Sequence, residues 1–174
     1  NLDEWLKDYA YRRYGSKEKC LVDAITLMRE SCYSENCTGR ETGSVICARP
    51  ATELLHTAPN DFRELRYDNK TLVKAVELLL GAENASTDGY AFDACDLVRQ
   101  AISNHASTLY DNVMYGYKNK DVNVFERSSN SFLKLCEELD ALLQTRPALT
   151  LHEHLKEAGE LAFTEKDKEN FELN

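Results

Sequence analysis

The chain has 174 residues, 43% of them hydrophobic, and a formal net charge of -9. Its length suits one domain with a real core, and its acidity excludes a duplex nucleic-acid binder or docking on an anionic membrane surface, both of which would repel it. No stretch approaches the roughly 18 consecutive apolar residues of a membrane span, and no signal peptide precedes the first periodic segment; a chain starting at Asn1 without Met is expected to be a processed or excised piece.

"LDEWLKDYAYRRYG" places Leu2, Trp5, Leu6, Tyr9, Ala10 and Arg13 at helical spacing, with Gly15 as the stop. Ser16 is expected to cap a second helix running to about Glu30, with Leu21, Ala24, Ile25 and Met28 as its apolar stripe. From about Tyr33 to Tyr67 the periodicity fails. Gly39, Gly43, Pro50 and Pro59 fall there, and the apolar content of "VICARPATELL" predicts an ordered loop with a short helical turn. The helical pattern resumes near Lys70, with Leu72, Val73, Val76, Leu79 and Leu80, and stops at Gly81.

After the turn cluster "AENASTDG", Asp88 is expected to cap a helix of roughly seven turns, with Ala91, Cys95, Val98, Ile102, Leu109 and Val113 on one face. A helix from about Val122 to Leu143 repeats in sevens through Phe125, Phe132, Leu139 and Ser129, Cys136, Leu143, a seam suited to antiparallel packing. Thr150 is expected to cap a helix through Ala162, and Thr164 with Asp167 to open a last one. With no strand-like alternation, the fold class is all-α: an irregular bundle of about six to seven helices with one long ordered loop, residues 1–174 forming a single helical domain.

Little in the pattern calls for chemistry. A di-iron bundle needs paired Glu-x-x-His motifs, and only Glu53-Leu54-Leu55-His56 matches. His152 and His154, two apart, point to different helix faces. His105 reads as a hydrogen-bonded interior histidine, and Glu137 with Glu138 as a solvated face. No catalytic residue, metal or cofactor is assigned. Tyr110, Tyr115 and Tyr117 fit either a carbohydrate wall or helix-end packing. Cys20, Cys95 and Cys136 read as buried thiols; Cys32 and Cys37, in "CYSENC", suit either a small disulfide loop or two thiols, and Cys47 lies in the long loop. Sequons stand at Asn36, Asn69 and Asn84 and carry meaning in a eukaryotic secretory pathway.

Taken as a set, "WLKDYAYRRYG", "ESCYSENC", "ARP", "LRYDNKTLVKAVELLL" and "YAFDACDLVRQAISNHASTLYDNVMYGY" resemble, in order and spacing, the C-terminal helical domain of the α-N-acetylglucosaminidases of glycoside hydrolase family 89. The most specific pieces are Arg12-Arg13-Tyr14-Gly15 and the Tyr90–Gln100 stretch with Asp93, Asp96, Leu97 and Arg99. The resemblance implies a part of a larger multidomain glycosidase that removes terminal α-linked N-acetylglucosamine by a retaining mechanism. Its two catalytic glutamates would lie in an upstream barrel that this chain lacks. The helical domain would pack on that barrel and help wall the sugar pocket, inactive alone.

The resemblance places Arg66, Tyr67 and Asp68 as substrate-binding residues, at the family's Trp-Tyr-Asn. Tyr67 matches; Arg66 replaces an aromatic and Asp68 an amide, implying another sugar or linkage preference, or lost activity. Arg49 and Pro50 match a family Arg-Pro, read as a loop anchor, and Arg99 is expected to pair with a carboxylate or loop carbonyls. The implied partners are the upstream barrel and, through it, the terminal N-acetylglucosamine of glycans, with no nucleic acid and no membrane. The implied location is exported: periplasmic or extracellular in a bacterium, lysosomal in an animal. The alternative is a free-standing all-α interaction module with a polar outer surface.

Overall fold

The computed structural model describes residues 1–35, 44–48, 51–52 and 65–173. Among them are seven α-helices: α1 (Leu2–Tyr14), α2 (Lys19–Glu30), α3 (Asn69–Leu80), α4 (Asp88–Asn119), α5 (Val122–Leu143), α6 (Leu151–Glu160) and α7 (Glu165–Leu173). Short 3-10 turns lie at Val45–Cys47, the helical turn expected in the long loop, and at Pro147–Leu149. The all-α class holds. Cys37, Arg49, Pro50, Glu53, His56 and the Asn36 sequon lie outside the described residues.

The main core is where one face from each of four helices meets. Leu6, Ala10 and Tyr14 of α1 join Leu21, Ala24, Ile25 and Met28 of α2, Leu72, Ala75, Val76 and Leu79 of α3, and Leu97 of α4. The α2 stripe is the one the spacing predicts; on α3 Leu72, Val76 and Leu79 face the core as expected, but Ala75 joins them while Val73 and Leu80 are exposed. A second cluster lies farther along α4, where Ala106 and Tyr110 pack with Val45 and with Phe132 and Leu135 of α5.

Three expectations about α4 change. Thr87, not Asp88, is its N-cap, its hydroxyl accepting from the Tyr90 N–H at 3.1 Å. The helix spans 32 residues, about nine turns. Its buried residues are Cys95, Leu97, Ser103, Asn104, Ala106, Tyr110 and Gly116, while Ala91, Val98, Ile102, Leu109 and Val113 are half-buried. The cause is contact on several sides at once, with α1, α3, α5 and the Val45–Cys47 turn. One stripe does not describe a helix with that many neighbours. His105 falls between these contacts and is exposed, not interior.

The second helix also starts late. Glu18 occupies its N-cap position without a side-chain cap. The Glu18 carboxylate is taken by the backbone N–H groups of Asn84 (2.9 Å) and Glu83 (3.2 Å). Ser16 accepts from the Glu18 N–H and donates to its carboxylate, so it shapes the turn and leaves α2 uncapped. Thr150 likewise makes no cap bond; it donates to Pro147 O, and α6 ends at Glu160, short of Ala162. The Thr164–Asp167 pair does form the reciprocal cap of α7. Of the thiols read as buried, Cys95 is, whereas Cys20 and Cys136 are half-buried.

The α4–α5 hairpin is drawn tight. A Cβ added at Gly116 would lie 2.6 Å from Phe125 N, a backbone atom that cannot swing away. Gly116→Ala should therefore lower unfolding free energy by about 1–3 kcal/mol, the usual cost of overpacking, measured by urea denaturation. An unchanged midpoint would contradict so close an approach.

Candidate functional site: the Tyr67 approach and the junction beneath it

Leu65–Asp68 leads from the long loop into α3, and its conformation is set from both ends. Asp68 is the N-cap of α3, accepting from the Lys70 N–H at 3.2 Å and the Thr71 hydroxyl at 3.1 Å. Tyr67, half-buried, packs against the main core. Its hydroxyl accepts from Nδ2 of Asn104 at 2.9 Å, and the same amide donates to Oδ1 of Asn69 at 2.7 Å. Asn104 keeps 8% exposure and accepts from Nε2 of Gln100 at 3.0 Å. One buried amide on α4 thus holds both the tyrosine and the first residue of α3. Buried polar groups of this kind are costly to leave unpaired.

Of the three residues assigned from sequence, Tyr67 is fixed from α4, Asp68 is occupied as a helix cap, and Arg66 is exposed. Asn104 was missed, because a lone Asn mid-helix carries no signal until its partner 37 residues earlier is known. Tyr110 is buried, exchanging hydrogen bonds with both Ala51 N–H and Ala51 O at 3.0 Å, so it pins the loop to α4. Tyr115 and Tyr117 are exposed, Tyr117 tilted against Phe125. Arg99 pairs with Asp96 at 2.8 Å, as a carboxylate partner for it was expected.

The two most specific sequence pieces meet each other across the fold. Arg13 grips Asp93 with two charge-assisted bonds, Nε to Oδ2 at 2.9 Å and a terminal nitrogen to Oδ1 at 2.6 Å. The Tyr14 hydroxyl donates to Asp93 at 3.1 Å, and Thr87 donates to the Arg13 carbonyl. Gly89 lets α4 come this near, since a Cβ there would be 2.8 Å from that carbonyl. Hydrogen bonds to the Asp93 carboxylate hold the Arg13 guanidinium well above its ordinary pKa. Burial first, then the Asp93 carboxylate, pushes the Tyr14 phenol well above the usual tyrosine range. These groups are engaged with one another, which is the signature of a joint.

Elsewhere the side chains are dispersed. Among the described residues no group of three His, Cys, Asp or Glu is placed to hold a metal, and no helix is long and apolar enough to cross a membrane. An open depression of about 410 Å³ between α6 and α7 is lined by His152, Leu155, Lys156 and Lys168.

Residues 5–174 match the family model described as "Alpha-N-acetylglucosaminidase (NAGLU) C-terminal domain". The chain belongs to this family. It is 25% identical to the Homo sapiens alpha-N-acetylglucosaminidase over 181 residues, covering 100% of this chain and 23% of that protein. It superimposes on a family 89 glycoside hydrolase from Clostridium perfringens in complex with PUGNAc with a TM-score of 0.87. A doubly substituted form of the Clostridium perfringens enzyme, in complex with its substrate GlcNAc-alpha-1,4-galactose, gives 0.86. Each of the two is 25% identical, with 99% of this chain and 20% of the other covered. The chain therefore spans about a fifth of the length of the relatives it matches.

Two outcomes test this geometry. Asn104→Leu removes the donor to the Tyr67 hydroxyl and to the Asn69 amide oxygen, and should cost about 1–3 kcal/mol in urea denaturation; a neutral effect would mean the network is not formed. The second concerns pH. The raised Tyr14 pKa means the folded state keeps a proton that the unfolded chain releases above about pH 10. Its stabilisation is complete below that pH and is lost as pH climbs toward the native value. The fall of stability between pH 9 and about 11 should be shallower in Tyr14→Phe than in the parent sequence, and an identical slope would contradict the assignment.

Proposed function

We propose that this chain is the non-catalytic helical support domain of an exported α-N-acetylglucosaminidase, packing on the catalytic barrel that precedes it and lending the approach around Tyr67 to the wall of the sugar site. The observation that carries this is the family match over residues 5–174 joined to coverage of only about a fifth of each relative. The sugar chemistry belongs to the rest of those longer chains.

The surface supports the proposal. Leu2, Trp5 and Tyr9, on one side of α1, stay 48%, 58% and 36% exposed, with Trp5 and Tyr9 stacked at 5.4 Å between ring centroids. Tyr33 is 64% exposed. Aromatic area of this kind on one face is what an interdomain contact covers. A free-standing interaction module, the alternative, favours a polar outer face, and the relatives carry this domain within longer chains. Asp68 contributes as the cap of α3, which leaves Tyr67 and the exposed Arg66 as the residues offered to a sugar or to its neighbouring saccharide.

The test assays the full-length parent and residues 1–174 alone on an aryl α-N-acetylglucosaminide. The isolated domain should show no turnover, and the parent should turn over. In the parent, Tyr67→Ala should raise KM about tenfold, equivalent to about 1.4 kcal/mol, with kcat little changed. Turnover by the isolated domain would contradict the proposal, as would an unchanged KM the wall assignment.

A further inference from the structure

We infer that Asn84, in the turn between α3 and α4, is an N-glycan acceptor, and that the neighbouring sequon at Asn69 is not. The inference rests on the exported route proposed above, in the form that passes through a eukaryotic secretory compartment. Both sequons are chemically sound, Asn84-Ala85-Ser86 and Asn69-Lys70-Thr71, neither with a proline in the middle. The fold separates them.

Asn84 and Ser86 are exposed, while Ala82 and Ala85 beside them turn inward against the main core. The turn is held by its backbone: the N–H groups of Glu83 and Asn84 both donate to the Glu18 carboxylate. Those bonds hold the Glu18 carboxyl below the usual carboxylate range, with the Asn84 N–H first. The Asn84 side chain also reaches Glu18. One of its two N–H bonds survives glycosylation, so the contact and the glycan are compatible. A bulky polar group on this side chain projects from a surface already ordered without it.

Asn69 is the opposite case. Its Oδ1 accepts the 2.7 Å bond from buried Asn104, it is the first residue of α3, and the Thr71 hydroxyl of its sequon is committed to Asp68. A glycan on its Nδ2 leaves Oδ1 able to accept but sets a bulky sugar beside the contact that holds Tyr67.

In the transfer, a polyprenyl-pyrophosphate-linked oligosaccharide supplies the glycan. The bond from its sugar C1 to the pyrophosphate oxygen breaks, a bond from C1 to Nδ2 of Asn84 forms, the amide gives up a proton, and the polyprenyl pyrophosphate leaves with the electron pair.

The site also orients the domain. The Asn84 turn sits at the C-terminal end of α1, beside Glu18, whereas Trp5 lies toward the other end of a 13-residue helix, which is about 20 Å long. A glycan at one end keeps that end in solvent and leaves the aromatic end to the barrel.

The experiment expresses the full-length parent in a eukaryotic cell, once with its own N-terminal segment and once with a secretory leader fused ahead of it. Both the secreted and the lumenal pools are digested with peptide-N-glycosidase in heavy-oxygen water and mapped by mass spectrometry. Heavy-oxygen deamidation at Asn84, with loss of one glycan's mobility shift in Asn84→Gln and equally in Ser86→Ala, is the expected result. Unmodified Asn84 in the fused-leader lumenal pool would overturn the inference, and so would equal occupancy of Asn69 in folded, secreted protein. Asn84 modified with the fused leader but not with the native segment would support the site while counting against the exported route.

Discussion

The tie from Arg13 to Asp93 is the constraint on which the rest of the structure depends. It joins the end of the first helix to the start of the longest one, 80 residues later. Everything between them, α2, the long loop and α3, must fit within the closed circuit. Tyr14 reinforces the tie and is itself fully buried in the main core. Because the Arg13 side chain keeps 39% exposure and Asp93 only 16%, water screens part of the attraction, and the pair contributes about 1–2 kcal/mol. Its larger effect is geometric. A two-toothed bond fixes the crossing of α1 and α4, and the Asn104 amide on α4 then stands opposite Tyr67.

Function follows from that chain of placement. The domain holds its polar groups in mutual engagement: guanidinium on carboxylate, amide on phenol, carboxylate on turn N–H groups. What it offers outward is the Leu65–Asp68 approach and aromatic area on α1 and at Tyr33. Those properties fit the helical C-terminal domain of a longer glycosidase.

How much of this was legible depended on the range of the interaction. The ends of α1 and α7 followed from local signals, Gly15 with a left-handed φ of 78° and the Thr164–Asp167 box, and α5 opens at Val122 where the spacing puts it, on an Asp121 cap that sequence reading had not named. The start of α2 was misplaced because Glu18 is claimed by a turn 65 residues away. The face of α4 was misplaced because four neighbours surround it, which no single periodicity encodes, and His105 was assigned to the interior for the same reason. At the candidate site, Tyr67 came from family resemblance alone, Asp68 proved to have a helix-capping task the spacing could have suggested, and Asn104 had no local signal at all.

The central claim is that the two most specific motifs of this chain act on each other, as a joint, and not on a sugar. A double-mutant cycle of Arg13→Ala and Asp93→Ala tests it most directly, read as unfolding free energy of residues 1–174 and as kcat of the full-length parent at a temperature where every variant stays folded. A joint predicts strong non-additivity in stability, the second substitution costing little once the first is made, with kcat near that of the unsubstituted enzyme throughout. Additive stability losses together with a collapse of kcat in the folded variants would contradict it.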